Sequence, residues 1–557
     1  MFNFIKKLFY KDQKSQEIQY RDIKANINTF FNTSSENTSD TKKKLTPSKD
    51  LQRNKKFLQN VFNKCDDIVY REIHIMNDSR YNALCIYVSN MIPSSILEDT
   101  IFRLASVPSN YQYISNIKEY CKSTLGIDEN DVLDDLNIIV DALSEGELVV
   151  FINGIDRGFT IDIKQPPSRA VEQPVTENVL RGPREGFTEN HASNICLIRK
   201  KIKSQNLKVE IFKVGKQTNT NVSILYMSNI ADKKIVDEVR TRINKIDIDS
   251  VSDANYIEEY IEDSPFSIFP TMFRTEKPDV ACAKLLEGRV VIIIDSVPVA
   301  LSAPTLFIEF FMSPDDYYLR FYVATLARFI RLISFTVSIT LPSAYVSLVT
   351  FHNELLPTAL AISVIRGRAV IPFTPMFEAL FMLTTYLILQ EADIRMPKTM
   401  GQAVSVVGGL VLGQAAISSG IVSGHMIIVV AFSAVSALAL PVPELQLPTA
   451  YVRFGLLILG GFAGMVGLTC GIVFIIIHLL SLRSFGVPFF APFGPLRPRE
   501  LLDTFIRAPL WAMRKRPKTI IWRDSTRRKG RPFTNPLTEE EKFKNNSTLE
   551  VDQREKK

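Results

Sequence analysis

The residues that could do chemistry are few and scattered. Six cysteines (Cys65, Cys85, Cys121, Cys196, Cys282, Cys470) and five histidines (His74, His191, His352, His425, His478) are spread along 557 residues. No two cysteines form a C-x-x-C pair, so neither structural zinc nor a disulfide framework is expected, and the thiols read as small apolar groups. No G-x-x-x-x-G-K-[ST] phosphate loop occurs, which disfavours ATP-driven transport by this chain. No H-E-x-x-H or G-x-S-x-G motif points to a hydrolase. The expectation is a protein with no metal and no cofactor, and no enzyme.

The informative residues are uncharged. Gln402, Ser405, Gly409, Gln414 and Ser418 fall on one stretch without a charged side chain, and Ser419 follows. Polar groups in hydrocarbon must face protein or water. They read either as interhelical hydrogen-bonding groups or as the lining of a water-filled path. Four Gly-x-x-x-Gly pairs (409/413, 420/424, 460/464, 467/471) would let helix backbones approach closely.

Those side chains need helices in a membrane to carry them. Leu332 to Leu482 holds only 5 basic and 5 acidic residues, and Gln402 to Pro443 holds none of either. A bilayer core needs roughly 20 apolar residues per helix. Spans are expected at about 330–352, 402–419, 424–442 and 454–480, within a membrane region at 321–482. Glu354 to Gly401 carries Arg366, Arg368, Glu378, Glu391 and Asp393, and reads as re-entrant or interfacial, with six spans as the alternative.

Both ends are expected in the cytoplasm. No signal-peptide pattern opens the chain. The tail, 483–557, has 18 basic against 9 acidic residues, which the positive-inside rule keeps inside. Its basic and aromatic run from Trp511 to Trp522 reads as a headgroup anchor, so no nucleic acid is expected. His478, near the end of an apolar span, reads as an interfacial hydrogen-bonding residue rather than a proton relay.

The soluble part divides in four. Residues 1–57, with 13 basic and 6 acidic side chains, read as a disordered arm, either drawn to anionic lipid or merely solubilising. Two related α/β subdomains follow at 58–165 and 192–320. Leu84-Cys-Ile-Tyr-Val-Ser-Asn90 is echoed by Ile224-Leu-Tyr-Met-Ser-Asn229, and Glu145-Gly146 by Glu287-Gly288. The Asn-to-Gly spacing is 56 in one copy and 59 in the other, each copy reading as strand, helices and an apolar strand pair. Between them, 166–191 is rich in proline and glycine and alternates in charge through Arg181, Arg184, Glu185 and Glu189. It reads either as a strap held by ion pairs or as a solvated tether.

The run Glu177-Asn-Val-Leu-Arg-Gly-Pro-Arg-Glu-Gly-Phe-Thr-Glu189 closely resembles the A subunit of GerA-type spore germinant receptors. So do Pro304-Thr-Leu-Phe-Ile-Glu-Phe310, Ser313-Pro-Asp-Asp-Tyr-Tyr318, Gly401-Gln-Ala-Val-Ser-Val-Val-Gly-Gly409 and Leu482-Arg-Ser-Phe-Gly-Val-Pro488. The resemblance covers about 60 to 490. It implies a complex with a transporter-like B subunit and a lipoprotein C subunit in the inner membrane of endospores. It further implies that B senses the nutrient while A subunits oligomerise into an ion channel. A secondary transporter of a small metabolite and a non-conducting scaffold are the other readings.

Overall fold

The computed structural model describes residues 44–75, 82–105, 131–165, 174, 177, 181–395, 411, 413–498, 500–513, 515–517 and 520. Subdomain 1 comprises α1 (Leu51–Val61), β1 (Ile68–His74), β2 (Asn82–Val88), α2 (Ser94–Ala105), β3 (Val132–Leu133), α3 (Leu136–Ser144), β4 (Leu148–Ile152) and β5 (Gly158–Ile161). Its antiparallel sheet has the order β1-β2-β4-β5-β3. All five residues of β4 are buried because both faces are covered. Leu84, Ile86 and Phe151 share one core with α1 and α3, and Cys85, Val150 and Ile152 share another with α2.

Subdomain 2 repeats the plan. It comprises α4 (His191–Lys201), β6 (Leu207–Val214), β7 (Thr220–Met227), α5 (Lys233–Asn244), α6 (Ala254–Ile261), β8 (Phe273–Thr275), α7 (Pro278–Leu286), β9 (Val290–Ile294) and β10 (Ala300–Ala303). The strand order is β6-β7-β9-β10-β8, the same permutation. The repeated Glu-Gly pair ends the same helix in both copies. Gly146 (φ 91°) and Gly288 (φ 90°) adopt left-handed backbone, which glycine takes without steric cost, and their amides donate to Leu143 and Leu285 carbonyls. Asp50, Asp135, Asp232 and Asp253 start α1, α3, α5 and α6 by accepting backbone N–H bonds.

The basic arm is ordered at its end, a correction to the boundary at 57. α1 begins at Leu51 and buries Leu51 and Leu58, while Lys44 pairs with Asp134 at 2.6 Å. The rest of the arm lies outside the described residues.

After a 3-10 turn (Phe307–Phe311) and the short α8 (Asp315–Tyr318) come α9 (Phe321–Phe351), α10 (Thr358–Arg368), α11 (Pro375–Arg395), α12 (Gly424–Leu438) and α13 (Gln446–Ser481). The segment 413–418 is helical as well. Two of these helical stretches, Phe321–Phe351 and Pro443–Ser481, are long and apolar enough to cross a membrane.

The last apolar run is not one straight span. Gly464 sits at φ 60°, ψ −145°, inside α13. A Cβ on Gly467 would overlap the Leu459 carbonyl, and one on Gly471 would crowd Leu456. Residues eight and fifteen apart meet only if the helix doubles back, so α13 is two antiparallel arms. In sequence the glycine pairs look like packing motifs; one of them is also the turn.

α11 is 21 residues long, with Ala379 and Leu383 fully buried in one cluster with Val346, Met426 and Leu457.

Candidate functional site

The strap is ordered where it is described. Arg181 N–H donates to Asp315 Oδ1 at 3.3 Å, and the Pro183 carbonyl accepts from the buried Lys277 at 3.0 Å. Gly182 (φ 110°) lies so near Tyr318 that a Cβ would stand 2.5 Å from the ring. Glu185 pairs with Lys200 and Lys201 at 3.0 and 3.1 Å, which holds its carboxyl below the usual range. Phe187 N–H donates to the Glu276 carbonyl, and the Glu189 carbonyl accepts from Ser296. Arg184 is exposed. These contacts run to subdomain 2 and to α8, which leads into the membrane bundle.

Glu177 is the strap's chemical end. Its Oε2 accepts from the Thr275 hydroxyl at 2.8 Å. Burial pushes its carboxyl up to about 7, with the Glu444 and Glu276 carboxylates adding to the rise. Glu258 on α6 is also pushed up to about 7 by burial, against the opposing pull of Arg274 at 2.6 Å. Strap, α6, β8 and the loop before α13 therefore share one acidic junction.

A different set of residues joins the two subdomains. Arg199 on α4 grips Asp67 through two hydrogen bonds, 2.8 and 3.0 Å, with both side chains buried. Ile211 N–H donates to Asp66 at 2.8 Å, and Lys208 Nζ to the Val61 carbonyl at 2.8 Å.

Subdomain 2 continues into the bundle without a break. One hydrophobic core runs from Ile224 and Ile292 of its sheet through Phe307 and Phe311 to Phe335, Val452 and Leu479 of the helices. Phe307 touches five aromatic rings, those of Phe269, Phe311, Phe335, Phe489 and Phe490. Around this core sit buried ion groups. Glu309 accepts from Lys284 at 2.5 Å and from Arg289, which also donates to the Pro304 carbonyl. Asp316 on α8 holds Arg328 and Arg331 of α9, each at 2.9 Å, and Arg328 reaches Asp503 at 3.1 Å. Burial raises the Asp503 carboxyl.

Inside the bundle, serines act as fasteners, on backbone carbonyls and on two buried charges. Ser343 and Ser347 of α9 donate to the Leu456 and Gly460 carbonyls at 2.6 and 3.1 Å, so α9 and the first arm of α13 run parallel. Arg453, 3% exposed, donates to the Ser338 carbonyl and hydroxyl at 2.9 and 2.7 Å. Glu378, 1% exposed, caps α12 by accepting from Ser423 N–H and Oγ at 2.5 Å each. In the sequence Glu378 and Arg453 stand only as isolated charges in apolar stretches. Ionisable residues in apolar stretches are themselves the signal of a built site.

Of the candidate path residues, Gln402, Ser405 and Gly409 lie outside the described residues. Gln414 and Ser418 are described, and both are exposed. Ser418 donates to the Ala415 carbonyl at 3.1 Å. Among the described residues no cluster of three His, Cys, Asp or Glu could hold a metal.

An α/β region built from two matching sheets is fused through one core to a bundle of apolar helices, the class of a membrane-associated protein. Comparison with known proteins adds the family. The family described as Bacillus/Clostridium GerA spore germination protein matches residues 56–519. The chain is 38% identical over 461 residues to spore germination protein KA of Bacillus subtilis (strain 168), covering 83% of this chain and 85% of that one. It is 38% identical over 387 residues to spore germination protein XA of Bacillus anthracis, covering 70% and 79%. The crystal structure of the N-terminal domain of the A subunit of the Bacillus megaterium germinant receptor GerK3 is 27% identical, with a TM-score of 0.38 over 48% of this chain and 99% of that one. The chain belongs to the GerA family of spore germination proteins.

Proposed function

We propose that this chain is the A subunit of a germinant receptor, relaying nutrient binding on a B-type partner into ion release through an oligomeric channel. It works with a transporter-like B subunit and a C-type lipoprotein in the spore inner membrane, with its soluble regions in the cytoplasm. Several copies surround the ion path.

The observation that supports relay is the unbroken core from Ile292 through Phe307 to Leu479. Close-packed cores transmit displacement because they are poorly compressible. A tilt of subdomain 2 is therefore felt at the inner ends of α9 and α13.

We read six crossings here: α9, α11, the stretch 402–419, α12 and the two arms of α13. α11 begins with Met376 against Gly461, and Tyr386, further on, neighbours Arg453, so it runs against the first arm. An even number keeps both ends on one side. Exposed Gln414 and Ser418 then face outward from one protomer, where neighbouring copies could meet them around an axis.

Cation efflux from liposomes carrying the chain with its B and C partners tests this. Germinant-triggered efflux that requires this chain supports the channel. Coupled uptake of a metabolite would indicate a transporter, and assembly without flux a scaffold.

A further inference from the structure

The turn that joins the stretch 402–419 to α12 is held by one neighbouring segment, 363–378. Helix 413–418 stops before Gly420, which takes left-handed backbone at φ 67°, and Ser423 then starts α12. Glu378 Oε1 accepts from both the N–H and the hydroxyl of Ser423, at a helix start where a carboxylate is favoured. Three more contacts come from the same segment. Ser363 Oγ lies 3.3 Å from His425 Nε2, and a Cβ on Gly367 would stand 3.2 Å from the His425 ring. Val370 lies against Gly420, 3.6 Å from where a Cβ would be. All this is at the end of the bundle remote from the soluble domain, where Phe351 borders Gly464 and Met376 borders Gly461.

The hold is built to be released. Of the eleven residues of α10 only Val364 is buried, so little packing keeps that helix in place. The ion pair that would close the segment on itself is unfinished. Arg368 Nη2 stands 3.9 Å from Glu378 Oε2 and donates instead to the Phe373 carbonyl at 3.2 Å. Arg368 Nη1 and Glu378 Oε2 are both buried without a hydrogen-bond partner. Unpaired polar atoms oppose burial, so the segment is not in the tightest arrangement its residues can reach. α9 and the first arm of α13 are fastened separately, through Ser343 and Ser347, and can stay in place while the turn moves.

We propose that 363–378 is a clasp on this remote turn, with Glu378 as its jaw, and that lifting it frees the stretch 402–419 to conduct. The proposal rests on reading 402–419 as the ion path. It makes α10 the element through which that path is held shut.

The test uses the full chain with its B and C partners in liposomes, in a Cys470→Ser background, reading potassium efflux and amide exchange in parallel. Glu378→Ala and Ser423→Ala loosen the clasp. Each should speed exchange at residues 423–426 and raise germinant-free efflux roughly tenfold or more, the factor expected for a lost hydrogen bond to a charged group. Where Glu378→Ala fails to fold, Glu378→Gln, which keeps an acceptor without the charge, takes its place. Ser343→Ala, which breaks a fastener elsewhere, should not leak; equal leakage would mean general loosening and overturn the clasp.

The opposite change ties it. Ser363→Cys sets a thiol beside His425 Nε2, and zinc bridges such a pair at about 2.3 Å to sulfur and about 2.0–2.1 Å to nitrogen. Zinc should protect that thiol from a water-soluble reagent and abolish triggered efflux; EDTA should restore both, and Ser363→Ala should ignore zinc. Triggered efflux that persists while zinc protects the thiol overturns the clasp. Fast exchange at 423–426 without leakage, where the unmodified complex responds to germinant, overturns it too. Unchanged exchange in Glu378→Ala and Ser423→Ala removes the hold itself. An unmodified complex that passes no ion on germinant sinks the channel reading instead, and exchange alone then decides the hold.

Discussion

Arg199 and Asp67 form a bidentate pair, 2.8 and 3.0 Å, buried between the two soluble subdomains and 132 positions apart in sequence. Removing one partner of such a pair strands the other charge, at about 3–5 kcal/mol. Arg199→Ala should therefore lower the Tm of the purified chain sharply and open the joint to protease. Arg184→Ala, an exposed site, should change stability by no more than about 0.5 kcal/mol. Equal effects of the two substitutions would show that the joint does not lie at Arg199.

The contrast measures what the sequence carries. The two sheets were legible, because β-branched runs bounded by Glu-Gly recur at matched spacing and local pattern sets local structure. The strap's alternating charges were legible as a pattern, but not its partners. Which element Glu185 or Arg181 touches depends on tertiary packing that periodicity does not encode. Arg199 lies in an unremarkable Arg-Lys-Lys run, and nothing local pairs it with Asp67. Gly464 is visible in the sequence as a packing glycine, yet its backbone angles and the contacts between the two arms are what reveal the reversal.

The strap should respond to pH. Burial raises Glu177 and Glu258 from 4.5 to about 7 in the folded chain. For an acid raised on folding, the contribution to stability is full below the unfolded value and is lost as pH rises through the folded one. The junction of strap, α6 and β8 should thus be tightest near pH 4.5 and loosen toward pH 7 and above. Amide exchange at residues 181–189 should accelerate between pH 5 and 8 beyond the intrinsic base dependence. Glu177→Gln keeps an acceptor for Thr275 without a titrating charge, and should flatten that excess. An unchanged excess in Glu177→Gln would place the pH response elsewhere.

Gly464 should tolerate no side chain. Its φ of 60° with ψ of −145° lies where L-residues are strained by about 1–3 kcal/mol, and a Cβ would also meet Phe351 at 3.1 Å. Gly464→Ala should lower the Tm in detergent, and Gly467→Leu should do worse by wedging the arms apart at Leu459. Phe351→Ala should relieve only the contact, leaving most of the Gly464→Ala defect. Full rescue by Phe351→Ala would mean that crowding, and not backbone, fixes the glycine.

The ion path is the reading that mutation can move. Of the stretches between Gln402 and Ser481, 402–419 carries the most uncharged polar and small residues, and its described part presents Val411, Gln414, Ile417 and Ser418 to the outside of the protomer. The arms of α13 are spent on packing: Gly460 accommodates Ser343 and Ser347, and Gly467 and Gly471 accommodate the opposite arm. A gate closed by apolar contacts excludes water, so added polarity favours the conducting state. Val411→Ser and Ile417→Ser should each give cation leakage without germinant, measured as potassium efflux from proteoliposomes. Single cysteines along 402–419 should react with water-soluble thiol reagents on one face, three or four residues apart. For these scans Cys470→Ser removes the exposed native thiol on the second arm. Uniform inertness along 402–419, with periodic reactivity along 465–481, would transfer the path to the second arm of α13.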